Sequence, residues 1–423
     1  MEDLLHYMWR NRLFAPVSLT TTDGRPLKII FPGMAHHDAG PDFKQAVIKI
    51  GDLTWAGDVE IHVNSSDWNR HGHSVDPKYQ SVILHVVYRH DTEIERQPGE
   101  NYATLELRTY IPPEMLEKYN SLTLSSKSLP CQQQLPNIEP LQITSFFTRL
   151  ATERLMHKQE QIMALHESCR HDWNETAYRI TARSYGFSTN ATGFELLAQS
   201  LPFRILYQHH DSRTQLYALL FGQAGMLEYE TCDEYYKSLQ DEYNYLKYKY
   251  KLTPIPEKCW LFLRMRPNNF PTIRIAQLAE LLFHHPNLFA DLTRFEDKRQ
   301  GYRLFNGEPH DYWKRHYLFG KESKAHCTTP GPSTIDLLLI NSAIPIRFAY
   351  GNFCGNAALQ EQALDLLEQL PFELNHITRK YKEAGFPSQN AACSQAILEL
   401  HKYYCTPKRC LQCQIGVKII GER

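Results

Sequence analysis

The stretch from Phe31 to His62, FPGMAHHDAGPDFKQAVIKIGDLTWAGDVEIH, constrains this chain most. It reads as two strands joined by a tight turn, with Asp42 opening the first and Glu60 and His62 near the end of the second. Side chains alternate faces along a strand, so Val59, Ile61 and Val63 form one apolar face while Asp58, Glu60 and His62 share the other. The apolar face belongs to a core. Three titratable groups in a row opposite it need a reason other than packing. Gly40-Pro41 ahead of Asp42 and Gly57 ahead of Asp58 are turn or bulge signals that can aim these groups into a cleft.

The rest of the chain extends this unit. With 423 residues, two or three domains are expected. An amphipathic helix is predicted over Glu2 to Leu13, with Leu4, Leu5, Met8, Trp9 and Leu13 at helical spacing. Leu19 to Gly24 and Lys28 to Phe31 read as strands around an Asp23-Gly24 turn. After His62 comes a polar loop, NSSDWNRHGHSVDPKYQ, and then the continuous apolar run Val82 to Val87, which predicts a strand buried on both faces. Ala103 to Tyr110 adds one more. Residues 1–110 therefore predict a small α/β unit with a mixed sheet. Pro112, Pro113, Pro130, Pro136 and Pro140 around a Ser-rich stretch mark 111–141 as a linker.

Residues 142–423 read as a helical domain. Helices are expected over Thr144 to His166, twice within Ala177 to Tyr207, over the Tyr-rich Glu228 to Leu252, and over Ile273 to Phe283. Ala357 to Leu370, Phe372 to Ala384 and Ser388 to Tyr404 complete the set, with a Gly/Pro/Ser loop, Gly320 to Ser333, dividing it. The expected fold class is α+β overall, a mixed sheet followed by a large, mostly α-helical region.

Two carboxylates on neighbouring strands, Asp42 and Glu60, can jointly hold a hard divalent cation such as Mg²⁺ or Mn²⁺. His62, two residues on, can orient or deprotonate a water on that ion, the arrangement phosphodiester hydrolysis needs. The plainer alternative is that Asp42 caps a turn, Glu60 pairs with an arginine and His62 is a satisfied strand histidine. Pro41-Asp42 followed by Glu60-Ile61-His62 resembles the PD-(D/E)XK nuclease superfamily. There the motif lies on adjacent strands, after an N-terminal helix and before another buried strand. The resemblance implies a nuclease-like fold over residues 1–110 and catalytic roles for Asp42, Glu60 and His62. It departs from the family at His62, where lysine is usual; Lys44, two residues past Asp42, can supply the missing charge. Over most of its length the chain also resembles an uncharacterised bacterial conserved-domain family, through GPDF, GDVEIH, SSDW followed by HGH, ILHVV, RPNNFPTIR and the tail YCTPKRCLQC. That likeness implies an architecture and no activity.

His71 and His73 form an H-x-H in the polar loop, with His62, His85, Asp67 and Asp76 as possible neighbours. Imidazole ligands favour zinc, iron or nickel; the plainer alternative is that loop histidines face water, and the functional one is that both line the same cleft and contact substrate or metal. Cys405, Cys410 and Cys413, two of them at C-x-x-C spacing, suit zinc or an iron–sulfur cluster. Cys393, His401, Cys354 and Cys327 are candidates for a fourth ligand. Arg264, Arg266 and Arg274 stand beside amide side chains, a composition matched to phosphate. Lys402, Lys408, Arg409, Lys418 and Arg423 against Glu422 make the tail basic. Tyr229, Tyr235, Tyr236, Tyr243, Tyr245, Tyr248 and Tyr250 can stack bases or, more simply, pack a helix interface.

A formal charge of −1 gives no global support for nucleic-acid binding, so such a partner needs local basic patches. Neither G-x-x-x-x-G-K-[ST] nor G-x-G-x-x-G nor G-x-S-x-G occurs in a strand–turn–helix context, which disfavours ATPase, dehydrogenase and serine hydrolase chemistry. The N-terminus lacks an export signal and no apolar run is long enough to span a bilayer, so a cytoplasmic protein without a membrane partner is expected. The best reading is a metal-dependent nuclease with a nucleic-acid partner. The alternatives are a non-catalytic nucleic-acid or protein-binding module, and a zinc hydrolase of small molecules built on the histidine loop.

Overall fold

Helix α1 (Glu2–Asn11) turns Leu4, Leu5, Met8 and Trp9 inward, the helical spacing read from the sequence, and packs against the long strand of the sheet described below. Arg12 ends it in the left-handed conformation, and the Trp9 indole N–H donates to the Pro32 carbonyl. The computed structural model describes residues 1–14, 18–36, 38–230 and 233–421. Of the basic tail expected from the sequence, Glu422 and Arg423 therefore lie outside the described residues. Among the described residues, no helix is long and apolar enough to cross a membrane.

The chain divides into two compact units, residues 1–140 with 402–423, and residues 141–401. In the first, a mixed sheet runs in the order β1 (Leu19–Thr20), β2 (Pro26–Phe31), β4 (Phe43–Ile50), β5 (Leu53–Asn64), β6 (Val82–Arg89) and β9 (Thr104–Glu106), with β3 (Met34–Ala35) alongside β4. A small separate hairpin pairs β7 (Glu95–Gln97) with β8 (Glu100–Asn101). Strands β2, β4 and β5 are antiparallel, whereas β5, β6 and β9 are parallel. Gly51 and Asp52 make the two-residue turn between β4 and β5, with Gly51 at positive φ as such hairpins require. Val82 to Val87 of β6 are all buried, as the unbroken apolar run predicts.

Two irregularities set the site. A bulge in β4 places Gln45 at positive φ, and its N–H donates to Asp58 at 2.9 Å. Asp58 also accepts from the Ser81 hydroxyl, so it ties the bulge to β6 and takes no part in the cleft. Gly57 sits where a Cβ would lie 2.4 Å from Ile83 Cγ2 and 2.6 Å from the Ser81 carbonyl. The glycine is there because β6 passes too close for any side chain.

The stretch 111–141, expected as a linker, is folded: α3 (Pro113–Thr123) and 3₁₀ turns over Pro130–Gln133 and Leu135–Asn137 belong to the first unit. So does the tail, whose last helix, Gln414–Gly421, packs on α3. Pro112, Pro130 and Pro136 each flank or begin a helical turn, where a missing N–H costs nothing.

The second unit is a helical bundle built around two almost wholly buried helices, Arg213–Gln223 and Pro271–His284. The segment from Ala177 to Tyr207, expected to hold two helices, holds the end of Trp173–Tyr185, then Ala191–Ser200 and Phe203–Tyr207. The Tyr-rich helix runs Glu234–Tyr250. Tyr236 and Tyr243 are buried in it, Tyr243 donates to Gln223, and Tyr235 stacks between His310 and Tyr312. These tyrosines pack the bundle; Tyr229, Tyr245 and Tyr248 are the exposed ones.

Candidate metal centre

The bulge brings the start of β4 beside the end of β5. The Asp42 N–H donates to Glu60 Oε2 at 3.2 Å, and the Ile61 N–H donates to Asp42 Oδ2 at 2.9 Å. The two carboxylates are thus latched to each other's strands. From α1, His6 Nε2 comes to 3.4 Å from Asp42 Oδ2.

The polar loop after β5 folds back over the same point. Asp67 accepts the Asn64 N–H and opens the short helix α2 (Asp67–Arg70), and Asp76 caps the turn Pro77–Tyr79 by accepting from the Lys78 N–H. Asp67, which also pairs with Arg70, and the cap Asp76 are both engaged within the loop and not in the cleft. Trp68 is fully buried against His62, His73 and His85, and Tyr79 stacks on His73 at 3.7 Å. With Gly72 at positive φ, the loop turns so that His71 and His73 both face β5.

One ligand nitrogen from each of His62, His71 and His73 lies within 4.8 Å of the others. Glu60 Oε1 is 3.2 Å from His73 Nε2 and 3.4 Å from His62 Nε2. His73 Nε2 is nevertheless buried without an aligned hydrogen bond. His62 Nδ1 meets His85 Nε2 at 2.9 Å, and its Nε2 meets His71 Nδ1 at 3.2 Å. A neutral imidazole has one N–H. With that proton on Nδ1, donated to His85, the His62 Nε2 lone pair points into the space shared with Glu60, His71 and His73.

Burial governs the protonation states of these groups, and their neighbours add to it. Burial, followed by the Asp42 charge, pushes Glu60 up to about 9. Burial, followed by the neighbouring imidazoles, lowers His62 to about 3, and burial lowers His85 to about 3 as well. His73 is lowered by burial and by His71. Glu60 is thus favoured in its protonated form and His62, His73 and His85 in their neutral forms, so a divalent cation held here would displace the Glu60 proton. Glu60, His62, His71 and His73 fit such an ion: three nitrogen donors, one oxygen donor, and a second partner already fixing His62.

The sequence-derived candidates fall into separate places. Asp42, Glu60, His62, His71 and His73 are brought together. Lys44 is not joined to the carboxylates by an ion pair among the described residues; its Nζ bonds His36 Nε2 at 3.0 Å. Arg274, in the second unit, is buried and bonds Gln277, Asn269 and Thr334, all neutral. With exposed Arg266 it lines a polar cavity of about 500 Å³, together with Asn268, Thr329 and Ser333. Arg264 is exposed nearby in sequence and does not line that cavity. Cys405, Cys410 and Cys413 lie in the tail of the first unit, whereas Cys327, Cys354, Cys393 and His401 belong to the second. His6 was missed by sequence reasoning: nothing in the pattern of α1 sets it apart from a solvated histidine. His85 was legible only as a neighbour, through its place in β6.

Residues 2–376 match the family described as "Protein of unknown function (DUF2851)", and the chain belongs to that family. No curated protein and no solved structure matches the chain. The family match covers every residue of the histidine–carboxylate cluster and ends before the tail cysteines.

Proposed function

We propose that this member of the DUF2851 family is a metal-dependent hydrolase of phosphodiester bonds in nucleic acid, a nuclease whose ion is held by Glu60, His62, His71 and His73 with Asp42 beside it. The observation that carries the reading is the meeting of two carboxylates and three imidazoles where β4 begins and β5 ends. The strand order supports it: α1, then antiparallel β4 and β5, then buried parallel β6, the sequence of elements that the nuclease resemblance implies. The mixed carboxylate–imidazole set suits Mn²⁺ or Zn²⁺ better than Mg²⁺.

A bound ion would polarise a phosphoryl oxygen and supply hydroxide near neutral pH. The chain's own residues do the rest. His85 fixes the ring of His62, and the Ile61 N–H holds Asp42 facing the cleft. Asp42 can accept a proton from an attacking water, and His6 is placed to relay it from Asp42. In the second unit, the cavity lined by Arg266 and Arg274 is suited to a phosphate, without any carboxylate among its lining residues.

The test is cleavage of single- and double-stranded DNA and RNA with Mn²⁺, Zn²⁺ or Mg²⁺, comparing wild type with Glu60→Ala and His71→Ala. Metal-dependent cleavage should fall by about 100-fold or more in both variants while their folds persist. Equal cleavage in all three proteins would sink the reading for those substrates. A zinc hydrolase of small molecules is the second reading, favoured by the three imidazoles and by Lys44 being turned to His36. Tightly retained zinc without any polynucleotide cleavage would select it.

A further inference from the structure

The tail of the first unit carries a second cluster of metal-binding chemistry. Cys405, Cys410 and Cys413 come at the end of the chain, and three thiols do not close a tetrahedral site. The candidates read from the sequence for a fourth ligand all belong to the second unit. The first unit contains another cysteine, Cys131, in the turn Pro130–Gln133. That turn packs against both α3 and the last helix, Gln414–Gly421. Lys408 anchors the intervening loop by donating to the Thr123 and Ser125 carbonyls at 2.8 and 3.1 Å. Gly416 lets the loop return closely, since a Cβ there would lie 2.1 Å from the Cys410 carbonyl.

The four thiols interact electrostatically. Cys131 feels Cys413 and Cys410, and Cys413 feels Cys405 and Cys410. Backbone N–H groups of Gly416 and Ile415, at the start of the last helix, favour the Cys413 thiolate against the burial that raises its pKa. Cys413 is 8% exposed and Cys131 is half-buried. Four thiols from separate parts of the chain, brought towards one partly buried region by the packing of the Pro130–Gln133 turn on the last helix, make a poor hydrophobic cluster and a good thiolate site.

We propose that Cys131, Cys405, Cys410 and Cys413 together form a four-thiolate centre for a soft metal, with Cys131 as the ligand that closes it. Four ligands leave no open position, so the centre is structural: it staples the returning end of the chain to the turn after α3. Binding displaces the thiol protons. Sulfurs around a single zinc at ~2.3 Å sit ~3.8 Å apart. Among the described residues no three of these sulfurs fall within 4.8 Å of one another, so either metal would draw the thiols together as it binds.

The full chain, purified anaerobically, would be assayed for zinc, iron and acid-labile sulfide. Its thiol-bound metal would be read by charge-transfer absorption, directly for iron or after Co²⁺ exchange for zinc. That absorption reports thiolate ligands and is blind to the histidine cluster, so its outcome is independent of the hydrolase reading. We expect about one ion or one cluster per chain, with the band lost by about tenfold or more in Cys131→Ser and Cys413→Ser and retained in Cys354→Ser. Because Cys131→Ser can fail to fold, the Co²⁺ spectrum of wild type is a second measurement, expected to have the intensity of four thiolates. Zinc with four thiolates, or iron with sulfide, would each support the centre. A three-thiolate spectrum, an unchanged band in Cys131→Ser, or no thiol-bound metal after reconstitution with either metal would overturn it.

Discussion

Replacing Glu60 by glutamine tests the electrostatics of the histidine–carboxylate cluster most directly. The substitution keeps shape and hydrogen-bonding capacity while removing the charge that a cation would need. Burial and Asp42 place the Glu60 carboxyl at about 9, so near pH 7 it carries a proton that an incoming divalent ion must displace. Two pH units of displacement correspond to about 3 kcal/mol, or about 100-fold in affinity between pH 7 and pH 9. His62 and His85, held near 3, are neutral throughout this range and release nothing. Wild type should therefore release about one proton per Mn²⁺ or Zn²⁺ bound, and its affinity should rise about tenfold per pH unit from about pH 7 to about pH 8.5. Glu60→Gln should bind more weakly at the upper end and show neither the proton release nor the slope. Titration calorimetry in two buffers of different ionisation enthalpy measures both quantities. Proton release of equal size in wild type and Glu60→Gln, or none in wild type, would refute the assignment of the exchanged proton to Glu60.

The same groups set a stability profile. Glu60 is raised from 4.5 to about 9, so its contribution is present at low pH and is lost as pH climbs from about 4.5 through about 9. His62 and His85 are lowered from 6.5 to about 3, so theirs is present above about 6.5 and is lost as pH falls towards 3. With chelator present, thermal unfolding should peak near pH 6.5; Glu60→Gln should abolish the decline on the alkaline side, and an unchanged decline there would contradict the burial argument. Gly57→Ala should destabilise the first unit by about 3 kcal/mol, because the new methyl meets a backbone carbonyl that cannot move without breaking the β5–β6 ladder. A denaturant midpoint within error of wild type would show that β6 yields. His85→Ala, which removes the partner of His62 Nδ1, should weaken metal binding by about 10- to 100-fold while leaving the proton released by Glu60 in place. Unchanged affinity would mean that His62 is oriented by Trp68 packing alone.

What could be read from the sequence, and what could not, follows from the range over which each signal acts. The β4–β5 hairpin was legible because its turn, its alternation and its apolar face are all local. The pairing of Asp42 with Glu60 was legible for the same reason: a short hairpin brings together residues at the far ends of its two strands, and no other segment is needed. The role of Asp58 was misread, because strict alternation places it beside Glu60, whereas the bulge at Gln45 shifts the register and gives Asp58 the task of tying that bulge. The histidine loop was legible as composition and illegible as geometry. Nothing local says that His71 and His73 fold back towards β5; that is decided by Trp68, whose burial against β6 pulls the loop inward. Chain-distant partners were out of reach in both clusters. His6 reaches Asp42 only because α1 lies across the sheet. Cys131 reaches the tail only because the Pro/Ser stretch is folded and the end of the chain returns to it. In each case the missing residue comes from a segment whose own sequence has another sufficient explanation: an amphipathic helix for His6, a proline-rich crossing for Cys131. A pattern that already accounts for a segment hides a site residue within it, so the residues completing these sites had to come from packing.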